Sequence, residues 1–281
     1  NRMMKAIFFS VSILIFVQVS VGQKRVNSAE DKSPKIFPLG VVDEIRSQIL
    51  GEQRVLNIYL PEGYSDKDTV RYPVVYLLDG SADEDFIHVT GIYQFSSFEW
   101  VARAPKSIIV GIANVDRRRD FTFPTTDEQQ KKDYPTTGHS QKFIDFIGNE
   151  LQPFIQKKYL TNGHRTIIGE SLGGLLTTEI LFKHPSLFDQ YIIVSPSIWW
   201  DNGSILNLNS DSLKNSLKEK TKVFIAVGQE GLTPTVVPRV MEVDAHLLAE
   251  KLKEIKSAKL DVYVDYLPGE DHGTIMHQAV Y

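Results

Sequence analysis

The length and composition of the chain allow one large globular domain and exclude several classes of function. Its 281 residues are 42% hydrophobic, which suffices for a single sizeable core. The formal net charge is -4 and both signs are spread along the chain, so no basic stripe is available to bind nucleic acid. The absence of cysteine excludes thiol catalysis, thiolate metal sites and a lipid-modified cysteine.

The first 22 residues have the pattern of a signal peptide. Arg2 and Lys5 precede the apolar stretch AIFFSVSILIFVQVSV, and Ser20-Val21-Gly22 offers small residues where a signal peptidase cuts. We expect the mature protein to begin near Gln23, to be secreted or periplasmic, and to lack membrane attachment. An uncleaved anchor helix is the alternative, but the apolar stretch is shorter than the roughly 20 residues that a membrane span needs.

Apolar runs of strand length alternate with amphipathic helical segments through the rest of the chain. This alternation predicts an α/β domain over residues 23–281, with a mostly parallel sheet and helices on both faces. The last run alternates apolar and polar residues, which predicts an edge strand with one wetter face. The predicted strands are 55–60, 73–79, 107–113, 166–169, 191–195, 222–228 and 260–267.

Two further parts of the chain stand outside this pattern. Residues 114–139 are polar and have neither helical nor strand periodicity, so we expect a long loop there that is either functional or disordered. The sequence opens on Asn1 and stops at Tyr281 within a predicted helix. One interpretation is therefore that the domain is truncated at its C-terminus.

The segment Gly169-Glu170-Ser171-Leu172-Gly173 matches G-x-S-x-G between a strand and a helix. Glycines beside the serine permit a sharp turn that presents its hydroxyl at the carboxyl end of the sheet. An alcohol needs a base to take its proton and an acid to orient that base. Ser171 is therefore the predicted nucleophile, and its partners should follow in the order acid, then histidine.

His272 is the predicted base, because it alone among seven histidines lies in a loop directly after the final strand. Glu230 is the predicted acid, since it follows the end of the run 222–228. Asp244 and Asp271 compete with it for this role. A Ser-His dyad, with Glu230 an ordinary surface residue, is a further alternative.

A tetrahedral oxyanion needs two N–H donors, and the backbone should supply both. Leu172, which follows the nucleophile, is the predicted first donor. Ser81, after the run 73–79, is the preferred second donor, with Gly80 as the next choice. No side chain at these positions would take part directly.

Three residues are candidates for binding substrate. Trp199 and Trp200 could line an aromatic pocket, or could equally be core or lid packing. Arg119, in the cluster 117–119, could contact an anionic substrate, although a solvated loop with an internal salt bridge is commoner. H-E-x-x-H, P-loop and G-x-G-x-x-G motifs are absent, so we expect neither a metal nor a cofactor.

The chain resembles the Putative esterase family of α/β-hydrolases, which includes esterase D and siderophore esterases. The resemblance is densest in YPVVYLLDG, in KFIDFIGNELQPFI through NGHRTIIGESLGGL, in HPSLFDQYIIVSPSIWW and in PGEDHGT. It implies cofactor-free hydrolysis of carboxylic esters, with Ser171 and His272 at the family's serine and histidine. Glu170 departs from the histidine that many members have before the nucleophile.

The resemblance also supplies candidate substrates, namely siderophore tri-esters, feruloyl or acetyl sugars, and thioesters such as S-formylglutathione. The export signal argues against the last, which is cytosolic. The leading hypothesis is an exported serine carboxylic ester hydrolase acting on a small molecule through an acyl-enzyme. An acyltransferase of related fold and a catalytically inactive binding module are the alternatives, and the oligomeric state is not predicted.

Overall fold

The structure is a computed structural model and describes residues 36–281, of which residues 38–281 form one compact unit. The predicted signal peptide, residues 1–22, lies outside the described residues. Within the described range, no helix is long and apolar enough to cross a membrane.

Eight strands form one twisted sheet in the order β1-β2-β4-β3-β5-β6-β7-β8. The pairs β1–β2 and β2–β4 are antiparallel, and the remaining five pairs are parallel. The mostly parallel sheet predicted from the sequence is thus confirmed, and β8 lies at an edge as expected. The strands are β1 Val41–Arg46, β2 Gln53–Tyr59, β3 Tyr72–Leu77, β4 Ile108–Ile112, β5 Thr161–Glu170, β6 Gln190–Val194, β7 Thr221–Gly228 and β8 Leu260–Leu267.

Helices follow most of the strands. A π-helical stretch occupies Ile147–Leu151, and short 3-10 segments occupy Pro185–Leu187 and Trp200–Asn207. The α-helices are α1 Phe86–Ser96, α2 Arg117–Phe121, α3 Glu128–Asp133, α4 Ser140–Phe146, α5 Gln152–Lys158, α6 Leu172–Lys183, α7 Ser210–Ser216, α8 Met241–Lys253 and α9 Ile275–Val280.

Apolar side chains are buried on both faces of the sheet. Along β3, Val74 and Tyr76 belong to the larger of two buried clusters, whereas Val75 and Leu77 belong to the smaller one. Successive side chains of a strand point to opposite faces, so a strand covered on both sides must be apolar throughout. This is why the central strands appear in the sequence as unbroken apolar runs.

The segment 114–139 differs from its prediction as an irregular loop, because it contains α2 and α3. Asp116 caps α2 by accepting the Arg119 N–H at 3.0 Å, and Asp127 caps α3 in the same way. Helices of five and six residues are too short to show the helical periodicity of apolar residues, so they could not be recognised in the sequence.

A buried ion pair attaches α2 to the sheet. Arg54 on β2 and Asp120 on α2 form a salt bridge with side chains only 1% and 2% exposed. Glu52 lies 3.1 Å from the same arginine, and Arg119 binds both carboxylates. This network holds α2, and with it Arg117 and its neighbours, over the carboxyl edge of the sheet.

Replacing Asp120 with alanine should destabilise the protein by about 3 kcal/mol, because Arg54 would keep its buried charge with Glu52 as its remaining partner. Urea unfolding followed by tryptophan fluorescence measures the difference. Glu128→Ala is the control, since Glu128 is 85% exposed where it pairs with Lys131 and should cost less than about 0.5 kcal/mol. Equal losses in the two variants would contradict the role given to the buried pair.

Candidate active site

Ser171 occupies the turn between β5 and α6, with φ 58° and ψ -119°. These angles are unusual for a residue with a side chain and mark a strained turn of the kind found at functional sites. The strand delivers the residue to the carboxyl edge of the sheet, and the first turn of α6 lies directly behind it. The sharp turn predicted from the sequence is therefore present.

The sequence predicted that the turn needs Gly169 and Gly173, but the structure requires Gly169 and Gly174. A Cβ atom on Gly169 would lie 2.3 Å from the carbonyl oxygen of Gly173, and one on Gly174 would lie 2.9 Å from Pro196 Cα. A Cβ on Gly173 itself would meet Leu78 and Asp79 at an ordinary 3.5 Å. The close approach of α6 to the sheet thus depends on Gly169 and Gly174, and Gly173 is needed less for its missing side chain.

Glu230 and His272 are in direct contact. The carboxylate oxygen Oε2 of Glu230 lies 2.6 Å from Nδ1 of His272, where the ring N–H donates. Glu230 follows β7 and His272 follows β8, and the two loops are joined by the Gln229 N–H, which donates to the Glu270 carbonyl at 2.8 Å. Asp244 instead binds Arg239 at 2.6 Å, so the contact with the imidazole belongs to Glu230.

The hydrogen bond between Glu230 and His272 lowers the pKa of the carboxyl and raises the pKa of the imidazole, and both shifts favour an ion pair. Burial of the Glu230 carboxyl acts to raise its pKa, but hydrogen bonds from His272 and Ser195 outweigh burial and place the pKa below its usual value. The hydrogen bond to Glu230 raises the pKa of His272 above its usual value, against the opposing effect of burial. The imidazolium form is thereby stabilised.

The Ser171 hydroxyl points elsewhere in this structure. Its Oγ lies 3.3 Å from Oγ of Ser197, and no hydrogen bond joins Ser171 to His272, although both residues lie in the described range. The segment 195–197 connects the two sites, because Ser197 contacts Ser171 and Ser195 donates to Glu230, which accepts from His272. The structure thus brings Glu230 and His272 together and leaves the Ser171 hydroxyl in contact with Ser197 instead.

The three backbone N–H groups predicted to bind the oxyanion differ in whether they already donate to another group. The Gly80 N–H donates to the Ile112 carbonyl at 3.0 Å, so the choice of Gly80 as an oxyanion donor is wrong. The Ser81 N–H has only a long 3.4 Å contact to the Glu84 carboxylate. The Leu172 N–H opens α6 and has no intrahelical acceptor. Leu172 and Ser81 remain the candidate pair.

Asp79 and Arg117 form a link that the sequence analysis did not identify. Two oxygens of Asp79 accept from Arg117 Nε at 2.6 Å and Nη2 at 2.9 Å, a bidentate geometry. Arg117 also donates to the Glu170 carbonyl at 3.4 Å. The pair therefore ties the loop after β3, which carries Ser81, to the end of the nucleophile strand.

A cavity of about 170 Å³ opens beside Ser171. Trp199 and Trp200 both line it and both also belong to the larger buried apolar cluster, so the two interpretations that the sequence left open hold together. The indole N–H of Trp200 donates to the Phe123 carbonyl at 2.8 Å, which fixes that ring as a wall. The other lining residues are Arg117, Arg118, Thr122, Tyr134, Thr137 and Leu172.

Arg119 does not line this cavity, so its selection as a substrate-binding residue is wrong. Its guanidinium is held by Glu52 at 2.6 Å and by Asp120 at 2.7 Å. Arg118 occupies the cavity instead, with its guanidinium carbon 4.7 Å from the centre of the Tyr134 ring. Of the two arginines that line the cavity, Arg117 is neutralised by Asp79, and Arg118 carries the positive charge.

Carboxyl groups with raised pKa values surround the nucleophile turn. Burial raises the pKa of Glu170 to about 7, and the charge of Asp85 adds to the rise. Burial likewise raises the pKa of Asp85 to about 6, with a contribution from Asp79. A large fraction of Glu170 is thus protonated at neutral pH.

No three His, Cys, Asp or Glu side chains of residues 36–281 are grouped to hold a metal ion.

The sheet topology and the serine at the turn after β5 define an enzyme of the α/β-hydrolase fold. The chain belongs to the family described as Putative esterase, which matches residues 47–259. This family membership confirms the resemblance noted in the sequence.

Similar proteins are siderophore esterases and a serine hydrolase. Ferri-bacillibactin esterase BesA from Bacillus subtilis is 30% identical over 63% of this chain and 66% of its own length. The siderophore triacetylfusarinine C esterase of Aspergillus fumigatus is 30% identical over 56% of each chain. The alignments thus span between about half and two thirds of these relatives. The crystal structure of an IroE-like serine hydrolase from Shewanella oneidensis is 33% identical, with a TM-score of 0.76 over 86% of this chain and 78% of that one.

The pKa of His272, measured by NMR titration of its ring protons, should lie above 6.5. Glu230→Gln should lower it, because the neutral amide no longer stabilises the imidazolium with a negative charge. The fraction of protonated His272 at neutral pH would fall accordingly. The remaining histidine signals serve as the internal control, and an unchanged His272 titration in the variant would contradict the contact.

Proposed function

We propose that the protein is a serine carboxylic ester hydrolase in which Ser171 is the nucleophile, His272 the general base and Glu230 the acid that orients it. The observation that carries the proposal is the 2.6 Å hydrogen bond from His272 to Glu230, next to the strained serine turn. A histidine held by a buried carboxylate, together with a serine at the carboxyl end of the same sheet, is the arrangement that activates an alcohol. Membership of an esterase family supports the same chemistry.

Acylation begins when the Ser171 Oγ attacks the ester carbonyl carbon and its proton passes to Nε2 of His272. The carbonyl oxygen becomes an oxyanion, which in this proposal the N–H groups of Leu172 and Ser81 stabilise. Collapse of this intermediate breaks the bond to the alcohol, and the imidazolium returns the proton to the departing oxygen. Glu230 stabilises the imidazolium throughout, since its pKa keeps it ionised.

Deacylation repeats these steps with water. His272 takes one proton from a water molecule, whose oxygen attacks the acyl carbon of the Ser171 ester. The second tetrahedral intermediate expels the serine oxygen, which receives the proton from the imidazolium, and the carboxylic acid leaves. Before the first step, the Ser171 hydroxyl must leave its contact with Ser197 and turn toward His272.

Ser171→Ala should lower kcat for p-nitrophenyl butyrate by at least about 10,000-fold, because no other group replaces the nucleophile. Release of p-nitrophenol in a purified preparation measures the loss. Ser216→Ala, an exposed serine on α7, should retain wild-type turnover. Residual activity of Ser171→Ala within about tenfold of wild type would remove Ser171 from the mechanism.

We further propose that the substrate is a bulky aromatic ester that carries negative charge. The cavity beside Ser171 has aromatic walls from Trp199, Trp200 and Tyr134, and Arg118 supplies a positive charge at its rim. The names of similar proteins point to siderophore esters first. Feruloyl esters of sugars are the alternative that suits the aromatic walls, whereas acetyl esters of sugars share only the ester bond with this substrate class.

Arg118→Gln should lower kcat/KM for an anionic catechol tri-ester by about tenfold, the effect of losing one charge-assisted contact. Neutral p-nitrophenyl butyrate should change by less than about twofold, since it has no charge to lose. Lys132→Gln, on the exposed face of α3, is the matched control. If wild type cleaves the catechol tri-ester no faster than a simple acetate ester, the proposed substrate class is wrong.

We also propose that the protein is exported from the cytoplasm and that its leader is cleaved. Arg2, Lys5 and the apolar residues that follow them support cleavage after Gly22. Protein expressed from the complete gene in a bacterial host should be recovered outside the cytoplasm with Gln23 at its N-terminus, as read by N-terminal sequencing. Recovery of the intact leader in the cytoplasmic fraction would contradict export.

A further inference from the structure

A short segment after β6 touches both ends of the proposed catalytic group. Ser195-Pro196-Ser197 follows Val194, the last residue of the strand. The hydroxyl of Ser197 contacts Ser171, as described above, and the hydroxyl of Ser195 donates to Oε1 of Glu230. The first of these contacts concerns the nucleophile, and the second concerns the acid.

Ser195 is held in one position by its surroundings. It is fully buried, and its N–H donates to the Ala226 carbonyl on β7 at 2.8 Å. Its φ is 41°, in the left-handed region that a residue with a side chain rarely adopts. Glycine would fit this backbone with less strain, so the backbone alone gives no reason for a serine hydroxyl here.

The two oxygens of Glu230 have separate partners. Oε2 accepts from His272, whereas Oε1 accepts from the Ser195 hydroxyl and, at 3.3 Å, from the Gly228 N–H. The side chain of Glu230 is 3% exposed, so water does not compete for Oε1. A donor on Oε1 sets the rotation of the carboxylate plane, and this rotation decides where Oε2 points.

We propose that Ser195 is a positioning residue that acts through Glu230, fixing the carboxylate so that Oε2 faces Nδ1 of His272. The proposal rests on the proposed function, because it requires Glu230 to be the acid. Ser195 touches neither substrate nor the reacting atoms. Its loss would free the carboxylate to rotate and would leave a buried oxygen short of one donor, so the base would be oriented correctly in fewer molecules.

The test is a double-mutant cycle between Ser195→Ala and Glu230→Ala, measured as kcat and KM for p-nitrophenyl butyrate. Ser195→Ala alone should lower kcat by about tenfold and change KM by less than about twofold. In the Glu230→Ala background the same substitution should change kcat by less than about twofold, because the group through which Ser195 acts is gone. The low-field NMR signal of the His272 Nδ1 proton should weaken or move in Ser195→Ala.

Ser140→Ala is the matched control, since Ser140 is also a buried serine but its hydroxyl has no partner among residues 36–281. It should leave kcat and the His272 signal unchanged. Ser195→Gly removes the same hydroxyl and relieves the backbone, so it replaces Ser195→Ala in the cycle if that variant does not fold.

Two outcomes overturn the inference while the acid role of Glu230 stands. In one, Glu230→Ala lowers kcat but Ser195→Ala changes it by less than about twofold. In the other, Ser195→Ala lowers kcat equally in both backgrounds. An unchanged kcat in Glu230→Ala would instead remove the acid role from the proposed function, and with it the basis for Ser195.

Discussion

The hydrogen bond between Glu230 and His272 depends on the parallel pairing of β7 with β8. Gly228 is paired with Leu267 at the last position of the two strands, so the loops that follow leave the sheet side by side. A Cβ on Gly228 would lie 2.5 Å from the Glu270 carbonyl oxygen, which shows how closely the loops approach. Two residues distant in sequence meet because both strands run in one direction and end at one edge.

Ion pairs hold the loop after β3 and helix α2 at the same carboxyl edge of the sheet. Asp79 binds Arg117, and Asp120 binds both Arg119 and Arg54 of β2, so these pairs attach helix α2 to the loop after β3 and to the sheet. These pairs leave Arg118 as the cation that faces the cavity. The local structure therefore converts a run of adjacent arginines, which look equivalent in the sequence, into groups with different surroundings and different tasks.

The sequence predicted the central strands and the serine turn because both leave strong local signals. Strands buried on both faces are apolar throughout, and a serine between glycines at a strand end has few structural explanations. Strand β1 was missed because its mixed, half-exposed residues have no apolar run. Arg118 and not Arg119 lines the cavity because of the way a five-residue helix faces, which its sequence does not show. The Gly80 N–H is not free to bind an oxyanion because it donates to Ile112, 32 positions later in the chain. Local sequence patterns contain neither piece of information.

The contact between the hydroxyls of Ser171 and Ser197 has a kinetic consequence for the proposed mechanism. Side-chain rotations of this kind finish within about nanoseconds, whereas enzymes typically turn over in about milliseconds or longer. In that mechanism the two orientations of the serine would therefore interconvert many times during each catalytic cycle. The resting contact can slow the reaction only through the fraction of time spent in the unproductive orientation, and a tenfold bias toward that orientation corresponds to about 1.4 kcal/mol of apparent barrier.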